Sequence, residues 1–552
     1  MNKLAIFLII LFLTWINVKS YWHAGFPYTH DGENHLARFA NYKIALREGQ
    51  FPPRFAPNLL NHYGYPVFDY NYPLANILSI PFSILKINYE LTFKILVISF
   101  VLFGLYGLNH WLRKLNYAVF DRVAGLLVFG FSPFLINLIN YRGNIGEITS
   151  FCLFPWLLWL IEKIKEKQST TFTYLWMIML FVLFLLSHNI SVMFGLPLIF
   201  IYTLVVFKND YRSWKKLALV FGYSLCLSLW FWLPSLAEKS FVILDSANLT
   251  NQFTSQFVTL DQLLFSPIQF GFSSPGSIDS LSFSLGILAI FVILVFIASQ
   301  VTEYFKTKKW HKNLSLLLLV LLLIIFQLQV TQVIWTSLPL VKFIQFPWRL
   351  SLFLYPFLSL MAAEIFMKGK TKLKIFFFLL VAIAVLNWLN LKPVDYFHRQ
   401  SADYDAFSSS TSTANENLPK SFTFEYFQDG GWQPTAKVIT GQGEVSINSW
   451  NGSKRYYQLN LVTDSTIVEP TMYFPGWQTL ANGKQVKYVD DQQIRGRIAY
   501  QLAPGEYLIE TKFTEITLPR IIGDLVSIFA LTFGIGYLGF VGKLNLRLKK
   551  KS

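Results

Sequence analysis

The sequence predicts a mainly α-helical, polytopic membrane protein carrying an extracytoplasmic antiparallel β-sandwich near its C-terminus. Three observations predict this. Apolar runs of the ~20 residues needed to cross a bilayer core recur along the chain. The composition, 53% hydrophobic and only 14% charged, is not that of a soluble protein. Between residues 392 and 516 the long runs give way to short segments rich in Val, Ile, Tyr, Phe and Thr (QGEVSINSW, YYQLNLVT, TIVEPTMYF), separated by NGS, PGW, NGK and PGE turns. That spacing suits a small sandwich.

Taken in order, residues 4–18 read as a retained signal-anchor, because NVKSYWHAG after them offers no small-x-small cleavage site. About twelve spans follow the pattern: 4–19, 93–112, 123–139, 148–162, 172–187, 190–207, 217–235, 281–301, 313–330, 349–367, 373–391 and 518–541. With Lys3 placed in the cytoplasm, alternation puts Arg113/Lys114/Arg122, Lys163/Lys165/Lys167, Lys208/Arg212/Lys215/Lys216, Lys306/Lys308/Lys309/Lys312, Lys368/Lys370/Lys372/Lys374 and the tail from Lys543 inside. Every inside loop is then basic, as the positive-inside rule requires. Residues 73–86 are left out of the count. They are short and broken by Pro73 and Pro81, and suit an interfacial or re-entrant helix. The predicted division is a transmembrane domain over 1–391 with a first outer loop at 20–92, a β-sandwich over 392–516, and a final helix with a basic cytoplasmic tail over 517–552. Both termini are predicted cytoplasmic.

The formal charge of +16 is dispersed in clusters between apolar runs, which fits membrane lipid headgroups and not nucleic acid. The two cysteines, Cys152 and Cys226, both sit in apolar segments, so neither a disulfide framework nor a cysteine metal site is expected.

The first outer loop holds an unusual density of ionisable and aromatic residues. Read as a helix from Gly32 to Glu48 closed by Gly49, it sets Asp31, His35 and Arg38 in one stripe and turns Glu33 elsewhere. Asp31 could serve as a general base or, with His35, as a divalent-metal ligand; the plainer alternative makes it a helix N-cap. Other polar groups fall at the same membrane face: Arg142, Gly143, Asn144 and Glu147 in one turn, Ser187, His188 and Asn189 in a second, Gln345, Trp348 and Arg349 in a third. Ionisable groups at a membrane are costly and usually line a wet cavity. One base, several cations and an aromatic-lined groove suit displacement on a sugar linked to a lipid phosphate, with Arg349, Arg142, His188 or a divalent ion stabilising the leaving phosphate. Glycosidase chemistry needs two opposed carboxylates, for which Glu33 and Glu147 are the available partners. No phosphate-binding G-x-x-x-x-G-K-[ST] loop and no serine nucleophile elbow is present. In the β region Trp432, Trp450 and Trp477 are either core or sugar-stacking surfaces, with core favoured.

The segments HDGENHLAR, EGQFPPRFAP, GYPVFDYNYPL, YRGNIGE, LLSHN and IQFPWRL resemble the bacterial membrane family labelled 6-pyruvoyl-tetrahydropterin-synthase-related. The many-span core with an acidic first outer loop resembles the GT-C superfamily of membrane glycosyltransferases. NENLPK and YFPGWQ…NGK…APGEY resemble the extracytoplasmic part of YfhO-like proteins. Nothing resembles the soluble pterin enzyme or its zinc-binding histidines. The resemblance implies a bacterial inner-membrane enzyme, inverting at the sugar carbon. It would move a hexose or pentose from a polyprenyl-phosphate donor to a cell-envelope glycan, lipid or protein. Asp31 takes the role of base, and His30, Glu33, His35, Arg38, Arg54, Arg142, Glu147, His188 and Arg349 would contact substrate. A divalent metal held by Asp31 and His35 is the one cofactor it leaves open. The rival readings are a transporter or flippase of lipid-linked saccharides and a non-catalytic assembly protein.

Overall fold

The computed structural model describes residues 3–166, 170–245, 252–274, 280–310, 313–337, 344–369, 371–412, 414–423, 432–490 and 494–549, with side chains of the last helix described to 538. Lys167, Lys312, Lys370 and the side chains of the basic tail fall outside those residues.

Among the described residues eight helices are long and apolar enough to cross a membrane: Tyr89–Lys114, Ile145–Ile164, Asn189–Phe207, Tyr211–Phe241, Ile287–Thr307, Pro347–Lys368, Thr371–Asn390 and Leu518–Leu538. Val119–Gly130 and Pro133–Arg142, bent by 43°, make a ninth when read as one broken span. Each of the twelve predicted segments contains helix, but Lys3–Asn17, Thr171–Leu185 and Leu314–Ile325 have only 15, 15 and 12 residues. At ~1.5 Å per residue they rise roughly 18–23 Å against a ~30 Å core, so among the described residues eight helices, or nine with the bent pair, meet the length criterion and these three are short apolar helices. The segment left out of the count is an 11-residue helix, Leu74–Ile84, with Pro81 inside it.

The chain divides into two compact units, and neither is contiguous. The first comprises Met1–Leu36, Ile77–Phe221 and Asn248–Arg399; the second comprises Ala37–Asn76, Gly222–Ala247 and Gln400–Ser552. The predicted boundaries followed composition, and composition cannot show that residues 37–76 and 222–247 group with the β region. Ion pairs and ring contacts join them there: Arg54 lies 3.0 Å from Glu515, Arg520 lies 2.7 Å from Glu238, and the Phe55 ring lies 5.5 Å from that of Trp477.

In the first unit, Ile145–Ile164 and Pro347–Lys368 are the most enclosed spans, each 89% buried. Close packing puts Ile145–Ile164 against Tyr89–Lys114: a Cβ on Gly104 would sit 2.8 Å from the Cys152 backbone. Small residues at such crossings let helices approach without a clash. A two-residue strand, β1 (Phe26–Pro27), pairs antiparallel with β2 (Tyr396–Phe397) and so ties the start of the first loop to the chain beyond the last span of this unit.

The second unit holds the sandwich. One antiparallel sheet has the order β4 (Gly443–Trp450), β5 (Lys454–Leu461), β10 (Gly505–Phe513), β7 (Trp477–Ala481), β8 (Lys484–Gln485); the other has β3 (Lys437–Thr440), β6 (Ser465–Met472), β9 (Arg497–Leu502). Alternation along β5 sends Tyr457, Leu459 and Leu461 inward, where they meet Ile467 and Tyr500 of the other sheet. Among the described residues the first strand of the sandwich is β3, at Lys437. Trp477 is buried, Trp450 packs on the core beneath Arg455, and Trp432 lies 4.8 Å from the His62 ring, so all three tryptophans serve packing.

Candidate active site

Backbone pairing sets the site. His30 N–H donates to Tyr141 carbonyl at 3.0 Å and Asp31 N–H to Arg142 carbonyl at 2.8 Å, docking the first loop on a single π-helical turn, Leu138–Arg142. Such turns recur at functional sites because they re-aim side chains. Gly143 ends the turn at φ +62°, and a Cβ there would fall 2.2 Å from Thr29 Oγ1. Only glycine both accepts that conformation and admits the loop. Asn144 then acts in two directions. Its Oδ1 accepts from Glu147 N–H at 2.9 Å, capping Ile145–Ile164, and its Nδ2 donates to Asp31 Oδ2 at 3.0 Å. The Asp31 carboxylate is thus held by a neighbouring turn instead of capping its own helix.

Glu147 is the centre of charge. Its side chain is 0% exposed, and its Oε1 accepts from Arg142 at 2.9 Å and from Arg349 Nε at 2.8 Å, with His188 Nε2 4.0 Å away. The same Arg142 nitrogen lies 3.8 Å from Asp31 Oδ2. Gln345 accepts from Arg349 at 3.2 Å, and the Arg142 guanidinium lies over the Trp348 ring at 4.9 Å. His188 caps Asn189–Phe207 through Nδ1, which accepts from Ser191 N–H at 3.2 Å. With Nδ1 accepting, the ring proton belongs on Nε2, which faces Glu147. Burial drives the His188 pKa down to about 3 against the opposing pull of Glu147, so the imidazole is neutral at pH 7. Two guanidiniums and two carboxylates therefore balance. Asp31, 34% exposed, is the open member, and the two arginines are almost closed off.

A family profile described as "6-pyruvoyl-tetrahydropterin synthase related domain; membrane protein" matches residues 68–394, more than half of the chain. The chain belongs to this family. An "Uncharacterized protein" of Lactococcus lactis subsp. cremoris (strain MG1363) is 26% identical to this family member over 204 residues, 36% of this chain and 33% of the relative. The chain thus spans about a third of that relative's length. Among solved structures, the arabinofuranosyltransferase AftD from mycobacteria aligns with a TM-score of 0.45 at 13% identity, over 70% of this chain and 26% of AftD.

Of the ten residues predicted for the site of this family member, five meet: Asp31, Arg142, Glu147, His188 and Arg349. His30 flanks them, its ring 4.6 Å from that of Phe272. Glu33 instead pairs with Arg399 at 2.7 Å. His35 is buried, its ring 6.3 Å from Phe93. Arg38 and Arg54 belong to the second unit. Arg38 Nε donates to Thr411 Oγ1 at 3.2 Å, and Arg54 is sealed among Asp69, Glu515 and Asp524. Asp31 finds polar partners, Arg142 and Asn144, in a turn distant in sequence. Among the described residues no group of three or more His, Cys, Asp or Glu side chains is placed to hold a metal ion. Asn144 has the one role the sequence reading did not assign. Its signal was present as N-x-x-E, an N-cap pattern at the start of an apolar run.

Proposed function

We propose that this family member transfers a sugar from a polyprenyl-phosphate donor to a hydroxyl of a cell-envelope acceptor, with inversion at the sugar carbon. The enzyme would lie in a bacterial inner or plasma membrane, both termini in the cytoplasm. The observation that carries this reading is the partly open Asp31 carboxylate set beside two guanidiniums fixed on the buried Glu147.

In the reaction Asp31 removes the acceptor hydroxyl proton as the oxygen attacks the anomeric carbon. The bond from that carbon to the phosphate oxygen breaks, and its electron pair stays on the phosphate. Before the step the four charges cancel. Once Asp31 is protonated the cluster carries one net positive charge, at the moment the phosphate gains a negative one. At ~4 Å and an effective dielectric near 20 that attraction is about 4 kcal/mol, of the size that oxyanion-stabilising groups supply. His188, neutral at pH 7, can donate a hydrogen bond but holds no proton to give as an acid. A glycosidase mechanism is less well served: Glu147 is closed from water and Glu33 is occupied by Arg399.

The test is Asp31→Asn in the full-length protein, read by mass spectrometry of lipid-linked sugars and envelope glycans. The expected result is loss of product, accumulation of donor and unchanged thermal stability. Saccharide crossing the membrane without a new glycosidic bond would support a transporter instead. An unchanged glycan profile would remove Asp31 from the reaction.

A further inference from the structure

Beside Asp31 stands an aromatic rim. Phe272 stacks on His30 with ring centroids 4.6 Å apart and planes inclined by 14°. Phe270 meets the edge of His30 at 5.1 Å and lies 5.5 Å from Tyr28. One residue on, Ser273 Oγ accepts from Trp348 Nε1 at 3.3 Å, and Trp348 is the ring beneath Arg142. The segment 270–273 thus touches both His30, the neighbour of Asp31 in the chain, and Trp348, the ring under Arg142.

Two features distinguish this rim from core. Phe272 is 55% exposed and Tyr28 37%, although each lies within one or two residues, or one ring contact, of the charged site. A ring stacked on one face and bare on the other is a half-filled sandwich. In addition His30 Nε2 is buried with no hydrogen-bond partner among the described residues. A buried unpaired nitrogen costs free energy unless a ligand meets it. Burial also lowers the His30 pKa to about 4, with Arg142 adding to the effect and Asp31 and the Gly271 backbone opposing it, so at pH 7 the ring is a neutral partner suited to a hydroxyl and not to an anion. An apolar plate, a neutral ring nitrogen and a carboxylate side by side match one ligand class. A pyranose or furanose presents a C–H face to the plate and hydroxyls at its edge. A lipid-facing aromatic would use the plate but not the nitrogen.

We propose that Phe272, with Tyr28 and His30, forms a saccharide subsite that seats a sugar ring next to Asp31. Its use in catalysis rests on the transferase reading; its binding does not. The ring is either the acceptor's or the one carried by the donor, and the test separates them.

Full-length protein in nanodiscs would be studied by saturation-transfer-difference NMR with methyl glycosides of common hexoses and pentoses, with and without undecaprenyl phosphate. Saturation transfer to at least one glycoside is expected in the wild type, with binding about tenfold weaker in Phe272→Ala. Phe272→Trp should retain it and so exclude misfolding as the cause. Binding that persists in the presence of undecaprenyl phosphate assigns the subsite to the acceptor; binding that requires it assigns the subsite to the donor sugar. Equal transfer in wild type and Phe272→Ala, or none in the wild type under either condition, overturns the proposal. If Phe272→Ala loses binding while Asp31→Asn keeps both binding and sugar transfer, the subsite stands and the catalytic role of Asp31 falls.

Discussion

Two clusters of buried charge differ in a way that separates a site from a clamp. In the first unit Arg142 and Arg349 face Glu147 and Asp31, so the charges cancel, and one carboxylate is a third exposed. In the second unit Arg54 and Arg520, both 0% exposed, face four carboxylates: Asp69, Glu238, Glu515 and Asp524. Arg54 is also bonded to the Trp230 carbonyl at 2.8 Å, and Arg520 to those of Thr514 and Pro475 at 3.2 and 2.9 Å. Both clusters join segments hundreds of residues apart, and both use arginine for its fork of donors. Charge density alone therefore does not mark function. Balance that shifts when one member takes a proton, together with access to that member, does.

The comparison can be broken most sharply at Arg520. Arg520→Ala leaves Glu238 buried without its partner, and loss of one half of a buried pair costs about 3–5 kcal/mol. The expected outcome is a protein that fails to accumulate or melts far below wild type in detergent, whereas Asp31→Asn melts close to wild type. Equal destabilisation by the two substitutions would erase the distinction. Next in size is Arg349→Ala, expected to lower sugar transfer about 10²–10³-fold, with Arg349→Lys recovering part of it because the charge returns without the fork. Glu147→Gln sharpens the reading further. It removes the anion that both guanidiniums share and leaves one extra positive charge in the site. The expected signature is a kcat lowered about tenfold with a donor KM that does not rise, since a lipid phosphate is held at least as well. A raised KM with unchanged kcat would make Glu147 a contact for substrate instead of a positioning residue.

How far the sequence reached follows from the same contrast. Arg142, Glu147, His188 and Arg349 were legible because a charge at the end of an apolar run stands out, whatever it touches. Arg38 and Arg54 looked equivalent to them, lying in the same acidic and aromatic loop. What tells them apart is Thr411 for one and Glu515 and Asp524 for the other, contacts across more than 350 residues that no local pattern carries. His35 sits where helical spacing put it, yet is buried, because periodicity fixes a direction and not what lies there. The sandwich was legible from turns and alternating strands; ahead of its first described strand, Lys437–Thr440, the described residues from 392 on include a two-residue strand and a helix of five residues. Phe272 had no signal at all: one aromatic among 54 phenylalanines is distinguished by its stack on His30 beside Asp31, a contact across more than 200 residues.

The smallest effect expected is the pH dependence of the clamp. Four carboxylates against two guanidiniums leave an excess of negative charge, and burial, the largest cause, pushes Asp69 up to about 6; Glu238 adds to the rise while Arg520 and Arg54 oppose it. Burial likewise raises Glu515 to about 7, against Arg54 and Arg520. A carboxyl with its folded pKa raised contributes stability that is fully present below its unfolded value of ~4 and is lost as pH climbs through the folded value. The melting temperature should therefore decline from pH 5 to pH 8. Asp69→Asn, which keeps the shape and cannot ionise, should flatten the lower part of that decline, and Glu515→Gln the upper part. The double variant is expected to melt higher than wild type at pH 8 and to differ little from it at pH 5. A decline that survives both substitutions would place the titrating groups elsewhere.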